Sequence, residues 1–196
     1  MGSKLMPHIR ILKEMLIETA IVPLEDHPYG KSKKQVTLTE QGQYSVTIKG
    51  LPPEDQIIVF KTDSYPAPEH IFKGNKGECK RADFVIICNT TTIKMILFIE
   101  LKAKSNTSKT KHIIQQLKGS QCIIGYSQEI GRLFWDPTFL EDFQYRFVCL
   151  TDINIQKRQT RVSKALTMHE TPENMLKIKC PRNLQFNQLI GTPNMQ

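Results

Sequence analysis

Apolar residues recur at helical spacing first between Leu5 and Ala20, where Ile9, Leu12, Met15, Leu16 and Ile17 form one stripe. Pro23 and Pro28 follow and end that helix. The stretch Lys31 to Gly50 is polar and loosely alternating. Within it Tyr44, Val46 and Ile48 are spaced by two, which predicts a strand. Leu51-Pro52-Pro53 reads as a turn, Ile57 to Lys61 as a short strand, and Ser64 to Gly77 as a loop. The runs DFVIIC (83–88) and MILFIEL (95–101) are dense in β-branched and aromatic residues and are separated by Asn89-Thr90-Thr91-Thr92. They predict a hairpin whose strands are apolar on both faces, hence central in a covered sheet.

A polar loop, Ser105 to Thr110, precedes KHIIQQLKGSQCIIGYSQEI, in which Ile113, Ile114, Leu117 and Ile124 again have helical spacing. Gly119 weakens this helix without ending it. Arg146 to Leu150 predicts a strand, Arg161 to His169 a short helix, and Met175 to Lys179 a last strand. The order predicts an α/β class, an α+β sandwich with a mixed sheet of four to five strands flanked by helices and extra N-terminal strands. A chain of 196 residues fits one domain, 1–196, with residues 21–77 as a variable, insertion-like segment inside it.

Composition narrows the function classes. With 39% hydrophobic and 23% charged residues the chain is an ordinary globular sequence. No window approaches eighteen uncharged apolar residues, so no membrane span is expected, and the basic N-terminus lacks the continuous apolar stretch of a secretory leader. Five cysteines, at 79, 88, 122, 149 and 180, form no CxxC pair, which predicts a reducing, cytoplasmic setting. The net charge of +8 favours a polyanionic partner, nucleic acid before any membrane surface. The five histidines are scattered, and HExxH, GxxxxGK[ST], GxGxxG and GxSxG are all absent, so zinc hydrolysis, nucleotide cradles and serine nucleophiles have no support.

One constellation departs from the surrounding pattern. Side chains alternate along a strand, so Glu100 and Lys102 share a face. A hairpin turning at Thr91–Thr92 sets Asp83 opposite Glu100. Two carboxylates facing each other in an apolar sheet repel and are costly to bury. A hard divalent cation removes both penalties, because such ions take oxygen ligands. Lys102 would then orient water or balance charge on a phosphoryl transition state. An isolated E-x-K is a common surface ion pair; the apolar hairpin and the acid 17 positions upstream set this one apart.

KRADFVI and LFIELK, followed by a helix containing QQL, resemble the PD-(D/E)xK nuclease superfamily, the restriction-endonuclease-like fold. The similarity covers roughly residues 78–155, with Leu5–Ala20 as the first core helix; Ala82 stands where the motif has proline. It implies a Mg²⁺- or Mn²⁺-dependent DNA endonuclease yielding 5′-phosphate and 3′-hydroxyl ends. Asp83, Glu100 and the main-chain carbonyl of Leu101 would hold the metal, and Lys102 would be the catalytic lysine. An extra acid on the first helix would be Glu18 in preference to Glu14, and a glutamine on the following helix would be Gln116 in preference to Gln115. Lys80, Arg81, Lys104, Lys109, Lys111 and Lys118 would form a phosphate track. A homodimer is a further expectation, since many relatives pair to cut two strands. The competing reading is a non-catalytic nucleic-acid-binding or protein-interaction module on the same fold, such as a defence-system or phage accessory factor.

Overall fold

The computed structural model describes residues 8–26, 33–40, 44–104, 110–153, 169–179, 181 and 183–191. The class is mixed α/β, with two mixed sheets and three α-helices among the described residues. Helix α1 (His8–Met15) is the first described element, and a 3-10 turn follows at Glu18–Ala20. Strands β1 (Glu25–Asp26), β2 (Lys34–Glu40) and β3 (Tyr44–Leu51) come next. They join β9 (Asn183–Gln185) in a four-stranded sheet of order β1-β2-β3-β9.

The larger sheet has the order β4-β5-β6-β7-β8, formed by Ile57–Lys61, Phe84–Asn89, Lys94–Lys102, Gln144–Thr151 and Leu176–Lys179. β4, β5 and β6 are antiparallel neighbours, whereas β7 and β8 are added in parallel. The parallel step from β6 to β7 needs a long crossover, which helix α2 (Thr110–Phe134) supplies.

Each face of the larger sheet has its own core. Ile86, Leu97, Ile99 and Val148 meet Leu38, Val46, Ile48 and Leu184 of the smaller sheet, and the short helix α3 (Asn187–Ile190) closes that layer through Leu189. Val85, Ile87, Ile96 and Phe98 point the other way, against Ile9 and Leu12 of α1 and Ile113, Leu117 and Ile124 of α2. The hairpin β5–β6 is therefore buried on both faces, as its doubly apolar strands predict. Among the described residues the long helices α1 and α2 lie on one of those faces. The second sheet occupies the other, because β2 and β3 each present an apolar row (Val36 and Leu38, Val46 and Ile48) that must be buried.

Several boundaries differ from the sequence expectation. α1 stops at Met15, and Ile17, expected on its buried stripe, is exposed where the backbone turns extended before the 3-10 turn. β2 was hidden in the polar run 31–50, since only alternate positions are apolar. β4, though inside 21–77, is a strand of the central sheet. The helix expected at Arg161–His169 lies, except for His169, outside the described residues.

Candidate metal centre

The register of the hairpin decides the site. Phe84 pairs with Ile99 and Val85 with Phe98, so one step further Asp83 stands level with Glu100. Val85 and Phe98 face the helices, and alternation puts Asp83, Glu100 and Lys102 on that same face. The expected trio therefore converges.

Its chemistry is that of buried, undercompensated charge. Glu100 has no exposure, and its Oε2 meets no donor. Its one partner is the Lys102 ammonium, in an ion pair with Oε1. Asp83 is buried, and its Oδ2 accepts a hydrogen bond from the Leu101 amide at 2.6 Å. The Leu101 carbonyl points to the same edge of β6 as that amide, since both groups of one residue face one neighbour in a strand. Lys102 retains 23% side-chain exposure and forms the outer wall.

Burial pushes the Asp83 carboxyl up to about 7, overcoming the lowering by the Leu101 amide. Burial, and then the Asp83 charge, drive Glu100 well above the usual carboxylate range. Desolvation pulls Lys102 down, but Glu100, Asp83 and Glu40 together leave it above its ordinary value. One ammonium thus serves two carboxyl groups, and without a further cation the acids favour their protonated forms. A divalent ion fits this donor set: two buried carboxylates, one of them with an oxygen that meets no donor, and a main-chain carbonyl are hard-ion ligands. No group of three or more His, Cys, Asp and Glu side chains arranged to hold a metal occurs among the described residues, so the fit rests on this pair.

The backbone ahead of Asp83 is fixed by side chains that the sequence reading did not single out. Thr62 N donates to the Asp83 carbonyl at 3.0 Å, Thr62 Oγ1 donates to the Ala82 carbonyl, and Ala82 N donates to Ser120 Oγ at 2.8 Å. Gly119 makes this possible. A Cβ there would sit 1.6 Å from the Lys80 carbonyl oxygen, so only glycine lets α2 lie this close to the segment entering β5. A glycine in mid-helix was the available signal.

The remaining candidates divide. Gln116 donates from Nε2 to the Arg81 carbonyl at 3.2 Å and touches His112, so it braces the motif strand. Glu18 is exposed on the 3-10 turn, and Glu14 pairs with Arg10 and Trp135. Other charges act most strongly on Asp83 and Glu100. Those charges include Glu40, at the end of β2, and Asp63, just after β4. Tyr44 donates its hydroxyl proton to Glu40, and burial raises the phenol pKa.

Among the cations, Lys80 donates to Gln115 at 2.7 Å, and Lys118 is paired with Glu173 at 2.6 Å. Lys104 and Lys111 are exposed, and Lys109 lies outside the described residues. Arg81 has no side-chain partner, with Nε and Nη1 shielded from solvent. Lys177 of β8 is a cation the sequence reading missed. It pairs in register with Cys149, itself level with Glu100, and reaches Thr110 Oγ1 at 3.5 Å. Comparison with protein-family models, curated proteins and solved structures gave no match to this chain.

Proposed function

We propose that the chain is a metal-dependent phosphodiester hydrolase acting on DNA, built on a restriction-endonuclease-like core. A buried hairpin carrying the acids, a crossover helix and a parallel strand support that core. The observation that carries the activity is Glu100, wholly buried beside a second acid, with Oε1 held by the Lys102 ammonium alone and Oε2 meeting no donor. Removing charges from water without full compensation costs several kcal/mol, roughly, per ion. Charge balance then names the missing partners. Two carboxylates and one phosphodiester anion are matched by one divalent cation and the Lys102 ammonium.

Asp83 and Glu100 would hold Mg²⁺ or Mn²⁺, with the Leu101 carbonyl as a further ligand. The ion supplies Lewis-acid polarisation at the phosphate. The chain's own residues do the rest. The Leu101 amide fixes the Asp83 rotamer, Gln116, Ser120 and Thr62 hold the approach to it, and Lys102 presents a proton-bearing cation at the open side. In the reaction a water oxygen would bond to phosphorus and the P–O3′ bond break; one water proton goes to the leaving 3′ oxygen, which departs as a hydroxyl, and the other stays with the 5′-phosphate.

The test is cleavage of plasmid, single-stranded and junction DNA with Mg²⁺ or Mn²⁺ and with EDTA, for the wild type, Glu100→Gln and Lys102→Met. Metal-dependent products lost in both variants are expected. Equal cleavage by Glu100→Gln refutes the assignment. Binding without cleavage under every condition leaves the non-catalytic module as the reading.

A further inference from the structure

A second feature lies beside the segment that enters β5. The loop after β4 and the exposed side of α2 enclose a cleft of about 660 Å³, lined by Tyr65, Phe72, Lys80, Arg81, Ile123 and Tyr126 among others. That volume is in the range, about 300–1,000 Å³, of pockets that enclose one small ligand. Two observations show that its lining is not simply core. Phe72 and Tyr126 are 53% and 66% exposed, and Ile71 beside them 79%. Arg81, two residues before Asp83, lines the cleft; its Nε and Nη1 are shielded from solvent without a partner, so the guanidinium meets a ligand there through Nη2. A largely desolvated cation with nothing opposite is unfavourable unless an anion completes it. Lys80 beside it spends one donor on Gln115, while the one acid of the lining, Glu78, accepts from the Lys76 amide in its own loop. The cleft therefore joins an aromatic wall to a positive corner.

We propose that this cleft is a subsite for one unpaired nucleotide of the substrate strand, with its base against the Phe72–Tyr126 wall and its phosphate on Arg81. The inference rests on the nucleic-acid reading of the acidic site and deepens it: the substrate is single-stranded, or opened, where it crosses this face. The faces of a base are available to aromatic side chains only when the base is unstacked. A duplex covers them, so the wall contributes nothing to duplex binding. A planar anionic nucleotide satisfies both halves of the cleft at once. Its phosphate neutralises Arg81, and its base covers the apolar surface that water now wets.

The experiment is fluorescence anisotropy in EDTA with a 5′-labelled single-stranded 12-mer and the matching blunt duplex, so that no cleavage is needed. The wild type binds the single strand at least ~10-fold more tightly than the duplex. Tyr126→Ala and Phe72→Ala, both on exposed positions, each weaken single-strand binding ~5-fold or more and leave duplex binding unchanged. Arg81→Met loses single-strand binding while its melting temperature holds or rises, because an unpaired charge has been removed. Equal affinity for both probes, or unchanged binding in the aromatic variants, overturns the subsite. A lowered melting temperature in Arg81→Met overturns the role given to its charge. A chain that binds the single strand yet never cuts with metal would keep the subsite and refute the nuclease reading; the reverse would do the opposite.

Discussion

Asp83 Oδ2 accepts the Leu101 amide proton at 2.6 Å, tying the residue before β5 to the one before the last of β6. The bond fixes one carboxylate oxygen and leaves the other for a ligand. Asp83→Asn can keep the bond through its amide oxygen but loses the charge. The variant is expected to fold, to lose Mn²⁺ binding by calorimetry, and to lose roughly 10²-fold or more in cleavage rate. Retained metal affinity in Asp83→Asn would remove Asp83 from the ligand set.

The raised carboxyl predicts an unusual pH response. In the folded, metal-free chain Asp83 holds its proton up to about pH 7, against 3.8 ordinarily. Between those values the folded state binds more protons than the unfolded one. Its contribution to stability is therefore full below about pH 4 and is lost as the pH rises through about 7. The span corresponds to roughly 4 kcal/mol as an upper bound. His8, lowered by burial, contributes the opposite slope. The difference between wild type and Asp83→Asn isolates the carboxyl. Urea unfolding in EDTA at pH 5 to 8 should show wild type losing stability relative to the variant. Adding Mg²⁺ at pH 8 should restore it, and parallel pH curves would contradict the environment described for Asp83.

Glu100 carries the same argument further, because it is more deeply buried and lacks even a backbone donor. Glu100→Gln removes a carboxyl that burial and Asp83 disfavour. It also leaves Lys102 to pair with Asp83 alone. Metal-free stability at pH 8 is expected to rise by about 1–3 kcal/mol, while stabilisation by Mn²⁺ disappears. Denaturant midpoints with and without Mn²⁺ check both halves. A destabilised variant with intact metal response would mean that the acid is structural.

The sequence made the trio legible because strand periodicity is strict. Once DFVIIC and MILFIEL are strands around a turn at Thr91–Thr92, the facing of Asp83 and Glu100 follows from counting, and the observed register agrees. The second sheet was not legible. Half of β2 is polar, so KQVTLTE carries too few apolar positions to stand out, and β9 is three residues long. Glu40 was missed for the same reason. It is remote in sequence, and its charge acts on the acids through space. The resemblance places Glu18 on the first helix, but α1 ends before it and it stays exposed.

Gly119 illustrates local and tertiary preferences pulling in opposite directions. On an isolated helix Gly119→Ala should stabilise by up to about 1 kcal/mol. Here the new Cβ would lie 1.6 Å from the Lys80 carbonyl oxygen and 2.7 Å from its carbon, both backbone atoms that cannot swing away. α2 would have to lift from the segment entering β5, breaking the Ser120 and Gln116 bonds that hold Ala82 and Arg81. A loss of roughly 3 kcal/mol is expected, with a fall in metal affinity. Gly125→Ala on the same helix, where a Cβ meets nothing within 4 Å, is the control and should be neutral or stabilising. Equal effects at the two positions would refute the close approach.

Glu40 supplies the last prediction. It sits at the end of β2, accepts a proton from the Tyr44 hydroxyl, and its charge raises Asp83, Glu100 and Lys102 alike. Through space it therefore opposes ionisation of the acids in the metal-free chain and favours a cation between them. Removing it has two consequences of opposite sense. In Glu40→Gln the Asp83 carboxyl titrates below about 7, which lowers the pH at which metal binding begins. At pH 8, where the acids are already more ionised, the loss of one nearby negative charge weakens Mg²⁺ binding by a few-fold, roughly 0.5–1 kcal/mol. Calorimetric Mg²⁺ titrations at pH 6 and 8 separate the two, because the variant's deficit should be smaller at pH 6. A deficit independent of pH would mean that Glu40 acts as a direct ligand instead of through its field.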